Sequence, residues 1–76
     1  MIVSTREMIV MKIYDIIHKF TDSGLWYEVV ENGSYASFGF FTQKELINSR
    51  FYEKSVVKIN FQYIKGKRLV VFYIWD

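Results

Sequence analysis

The sequence predicts a single α+β domain of order α-β-β-α-β-β, with a four-stranded antiparallel sheet carrying two helices on one face. Three observations predict it. Two glycine turns, Asn32-Gly33 and Lys65-Gly66-Lys67, each separate a pair of apolar-rich segments of strand length, and two capping-box spacings, Ser4/Glu7 and Thr42/Glu45, open segments of helical period. Proline is absent and glycine occurs four times, so these turns and caps are the main breaks in the chain.

The first element is expected as a helix. After the Ser4/Glu7 spacing, Ile9, Ile13, Ile16, Ile17 and Phe20 recur at helical intervals, and Lys12, Asp15 and Lys19 fall on the wetter side. Met-Ile-Val stands at both 1–3 and 8–10, and Met8 and Met11 are further candidate translation starts. Order is expected to be weak before about Thr5.

The first hairpin should run through Leu25–Glu31 and Ser34–Phe41 about a two-residue Asn32-Gly33 turn, which needs positive φ at both positions. That register places Leu25, Tyr27, Val29, Ala36, Phe38 and Phe40 on the core face. Trp26, Glu28, Val30, Tyr35, Ser37 and Phe41 then share the outer face, with Trp26 lying over Gly39 unless the glycine marks a bulge. Thr42 and Glu45 next cap a short helix from about Gln43 to Ser49, with Phe41 and Leu46 at the positions of a hydrophobic staple. Phe51 is expected to plug the core from the segment that follows.

The closing hairpin, Val56 to Asp76, turns at Lys65-Gly66 or Gly66-Lys67. Either turn places Val57, Ile59, Phe61 and Tyr63 beside Val70, Phe72 and Ile74 on the core face. Lys58, Asn60 and Gln62 then share the outer face with Val71, Tyr73 and Trp75.

A 76-residue chain buries about 60% of the surface its unfolded form exposes. Its core depends on large rings, since aromatics make up 20% of the residues. The absence of cysteine excludes a disulfide framework and thiolate chemistry, and points to a reducing cytoplasm. The N-terminal apolar stretch is interrupted by Arg6, Glu7, Lys12 and Asp15, which suits neither a signal peptide nor a membrane span. A soluble protein is the expectation.

His18, the single histidine, has no cysteine or second histidine at metal-ligand spacing and is read as a helix-terminal side chain favourable to the helix dipole when protonated. The serines lack a nucleophile-elbow context, no carboxylate pair stands out, and the glycines are too dispersed for a phosphate loop. Neither enzymatic activity nor a metal or other cofactor is expected.

The net charge is +2, but seven basic groups face three acidic ones over residues 44–76. The outer sheet face therefore becomes the candidate site. Its protein-interface set is Trp26, Tyr35, Lys58, Asn60, Gln62, Tyr73 and Trp75, combining residue types enriched at interface hot spots with a polar rim. The alternative is single-stranded nucleic-acid binding, in which Lys58, Lys65, Lys67 and Arg68 contact phosphates while Tyr73 and Trp75 stack on bases. Lysines also guard sheet edges against aggregation, and isolated surface rings are normal, so the same pattern is compatible with a surface that binds nothing.

The pattern Thr42-x-x-Glu45-Leu46, Val57-x-Ile59 and Leu69 followed by Phe72-Tyr73-Ile74 resembles short uncharacterised phage and mobile-element proteins of AT-rich Gram-positive bacteria. The resemblance implies a single-domain binder that modulates a host or defence protein, including an anti-CRISPR-like inhibitor acting in the host cytoplasm. The partners expected are such a protein or a second copy of the chain.

Overall fold

The computed structural model describes residues 11–75. The Ser4/Glu7 cap, Ile9 and the weak order expected before Thr5 lie outside them. Five strands form one sheet: β1 (Met11–Lys12), β2 (Trp26–Glu31), β3 (Ser37–Phe41), β4 (Ser55–Ile64) and β5 (Lys67–Ile74), in the order β1-β4-β5-β2-β3. Helix α1 (Ile13–Ile16) runs into a 3₁₀ turn, Ile17–Lys19, and α2 (Gln43–Ile47) is followed by a second, Arg50–Glu53.

The mixed α and β class stands as expected, whereas two features of the sheet do not. It has a fifth, two-residue strand, and its central pair, β2 with β5, is parallel rather than antiparallel. The pairing follows from where apolar residues fall. Strand β5 is buried continuously from Leu69 to Phe72, and β2 buries Val29 and Val30 on opposite faces. Strands with apolar groups on both faces belong in the middle of a sheet, and parallel pairing is characteristic of such buried strands.

The expected first helix is also shorter among the described residues. Met11 and Lys12 pair with Val56 and Ser55 as a strand, the Ile13 amide donates to the Lys54 carbonyl at 3.1 Å, and the Lys12 amide donates to the Asp15 carboxylate at 2.9 Å. Edge pairing thus takes backbone groups that a longer helix would have used. Ile13, Ile16 and Ile17 are buried as their helical spacing requires.

Helix α2 matches its cap. Thr42 Oγ1 accepts from the Glu45 amide at 3.2 Å, and the Glu45 carboxylate accepts from the Thr42 amide at 2.9 Å. Gln43 Nε2 donates to the carbonyls of Ile17 and Phe20, at 2.8 and 3.2 Å, joining the two helical segments over the same sheet face. Phe51 is buried there as the expected plug, and its amide is capped by Ser49.

The Asn32-Gly33 hairpin departs from its expected two-residue form. Asn32 donates to the Ile74 carbonyl at 2.8 Å, Tyr35 donates to the Glu31 carbonyl at 2.9 Å, and Tyr35 takes a left-handed φ of 62°. The resulting loop shifts the register. Tyr27 pairs with Phe41, Glu28 with Phe40 and Val29 with Gly39, and a bulge follows before Val30 meets Ser37. Phe41 therefore joins the core and Phe40 faces outward, the reverse of the sequence expectation, while Ala36 is exposed and Trp26 does not oppose Gly39. Gly39, at φ 123°, marks the bulge instead.

The closing hairpin keeps its expected turn. Ile64 pairs with Lys67 across Lys65-Gly66, whose φ values of 51° and 79° meet the positive-φ demand of the turn. Ile59 pairs with Phe72 and Phe61 with Val70, but a bulge at Val57 gives its expected place opposite Ile74 to Val56. The hairpin also extends beyond the helical layer. Phe61 and Tyr63, expected in the core, are 69% and 72% exposed.

The main core lies between the helical segments and one sheet face, where Tyr27, Val29, Val70, Phe72 and Ile74 meet Ile13, Ile17, Leu46 and Phe51. Tyr27 and Phe72 stack at 6.0 Å with planes 8° apart. We call this the covered face.

Candidate functional site

Strand alternation assigns the opposite, helix-free face. Trp26, Glu28 and Val30 on β2 stand beside Lys67, Leu69, Val71 and Tyr73 on β5, followed by Lys58, Asn60, Gln62 and Ile64 on β4 and by Phe40 on β3. No described helix packs on it, yet Val30, Leu69 and Val71 are buried, with Trp26 and Tyr73 packed against them. Long side chains lying along the sheet produce this burial.

Two lysines occupy ring faces. Lys58 Nζ stands 5.0 Å from the Tyr73 ring centroid and Lys67 Nζ 5.6 Å from that of Trp26, both within cation–π range. Tyr73 is further fixed by Asn60 Nδ2, which donates to its hydroxyl at 3.3 Å, and by the edge of Tyr35 at a centroid separation of 6.1 Å. Five of the expected interface residues, Trp26, Tyr35, Lys58, Asn60 and Tyr73, thus fall within these contacts. Gln62 shares the face, whereas Trp75 is exposed one residue beyond β5.

Beside Trp26 the face opens into a groove of about 330 Å³ lined by Trp26, Phe40, Ile64, Lys65, Lys67 and Leu69. Its walls are apolar and its cations sit at the turn. Phe40, 59% exposed, forms the β3 side. Sequence reasoning missed three of these residues for different reasons: Phe40 was displaced by the altered register, while Ile64 and Leu69 continue the same alternation as Gln62 and Val71 and were recoverable from it.

Arg68 does not join the lysines. Strand alternation turns it to the covered face, where it forms an ion pair with Asp22, so the expected basic cluster is divided between two faces. Lys58, Lys65 and Lys67 remain on or beside the helix-free face, which also carries Glu28.

Elsewhere, His18 Nε2 lies 2.7 Å from the Tyr52 hydroxyl and its ring meets Tyr52 edge-on. Among the described residues no group of three or more His, Cys, Asp or Glu side chains could hold a metal ion. No described helix is long and apolar enough to cross a membrane. Burial of Tyr27, assisted by the negative charge of Asp22, raises its phenol above the ordinary value of 10.0.

Comparison with family models, curated proteins and solved structures finds no match.

Proposed function

We propose that the chain is a non-enzymatic protein-binding module that docks its partner on the helix-free sheet face. The observation carrying this reading is the groove between Trp26 and Phe40, an apolar hollow on a solvent-facing sheet with Lys65 and Lys67 at its rim. Solvated rings around a concave apolar floor suit an apolar anchor residue, and the lysines favour acidic groups flanking it. The resemblance to phage and mobile-element proteins makes a host or defence protein the proposed partner, with inhibition as the outcome.

Immobilised chain should retain a specific protein from host lysate, and Phe40→Ala should weaken that retention at least tenfold while preserving the fold. Absence of a specific partner, or a partner indifferent to Phe40→Ala, refutes the reading.

The lysines over Trp26 and Tyr73 support single-stranded nucleic-acid binding as the second reading. It requires affinity for oligonucleotides that falls with added salt and with replacement of Lys58, Lys65 and Lys67. Flat titrations at low salt remove it. The division of Arg68 from these lysines, and Glu28 on their face, favour the protein partner.

A further inference from the structure

We infer that the outer edge of β4 pairs with the same edge of a second copy, forming a two-fold dimer through a continuous sheet. The inference is independent of the docking groove. Only Ser55 and Val56 of the ten-residue β4 pair with β1, so the edge from Lys58 to Ile64 has no described neighbour. Alternation from the hydrogen-bonded Ile64–Lys67 pair that closes the two-residue turn directs the backbone groups of Ile59, Phe61 and Tyr63 toward this edge.

The occupant follows from the register that the side chains permit. Antiparallel self-pairing centred on Phe61 sets Phe61 against its copy, Ile59 against Tyr63, Asn60 against Gln62, and Lys58 against Ile64. Apolar groups thereby meet on one face, while on the other the amides meet each other and Lys58 meets Ile64, with no like charges directly opposed. The pairing would also cover the Phe61 and Tyr63 rings, which protrude beyond the helical layer and, for Phe61, meet Phe20 at 6.0 Å. The edge lacks proline and has one lysine, Lys58, so the usual guards against pairing are sparse. Two-fold operation makes such a contact closed, limiting it to a pair rather than a fibre.

Sedimentation equilibrium of the full chain should give a concentration-dependent mass approaching twice that of one chain. Phe61→Glu, which sets two carboxylates against each other on the axis, should weaken association at least tenfold with the thermal transition retained. In a sample mixing isotope-labelled and unlabelled copies, Ile59 and Tyr63 should show contacts between copies; this tests the wild-type register even if the variant fails to fold. A monomer throughout, including one whose Ile59, Phe61 and Tyr63 amides exchange slowly, overturns the proposal. So does a dimer that Phe61→Glu leaves intact or that lacks the intercopy contacts.

Discussion

The two faces of the sheet bury apolar residues by different means. On the covered face, Tyr27, Val29, Val70, Phe72 and Ile74 are enclosed by helical segments, and ring meets ring with little solvent access. On the other, Val30, Leu69 and Val71 are dried mainly by neighbouring side chains on the sheet, including Trp26 and Tyr73, without a second layer of described helix. The difference separates stability from recognition. A face covered by its own long side chains can stay hydrated above them and still expose rings to a partner, whereas a ring in the covered core is committed to folding.

The strongest way to test that comparison is Phe72→Ala. Removing a fully buried ring from the covered face should cost about 3–5 kcal/mol, a large share of the stability of so small a domain. Urea denaturation followed by circular dichroism measures it, and a loss below about 1 kcal/mol would contradict the main-core assignment. Leu69→Ala should cost about 2 kcal/mol, near the lower end for a leucine, because the adjacent surface side chains can settle into the space. A cost matching that of Phe72→Ala would erase the distinction between the faces.

The smallest expected effect concerns Tyr27, whose buried hydroxyl finds no hydrogen-bond partner among the described residues. Tyr27→Phe should be neutral or stabilising by up to about 1 kcal/mol at neutral pH, since it removes an unsatisfied polar group. Burial favours the protonated phenol, so unfolded tyrosine ionises first. Its contribution is fully present below the ordinary pKa of 10.0 and is lost as pH rises through the higher folded value. Paired denaturation curves should therefore show a smaller loss above about pH 10 for Tyr27→Phe; identical alkaline losses would refute the assigned cause.

Local chemistry made some of this architecture legible before any tertiary contact was considered. The Thr42/Glu45 cap and Lys65-Gly66 turn succeed because their bonds and backbone angles involve close sequence neighbours. Asn32-Gly33 fails as a two-residue turn because Asn32 bonds to Ile74, across the chain, while Tyr35 takes an additional left-handed conformation. Simple alternation likewise placed Trp26, Lys58, Asn60, Gln62 and Tyr73 on one face. It could not place Phe40 past the bulge or reveal that Asp22 draws Arg68 into an ion pair on the other.

The parallel pairing of β2 with β5 also sets an order for biosynthesis. These strands are neighbours in the sheet but are separated in the chain by β3, α2 and β4, and β5 is the last of the described elements to be translated. The β2–β3 hairpin can emerge and begin to associate earlier, yet its central edge has no β5 to receive it. Completion of the sheet must await the final strand, leaving an incomplete apolar edge available to chaperones or to misassociation during synthesis.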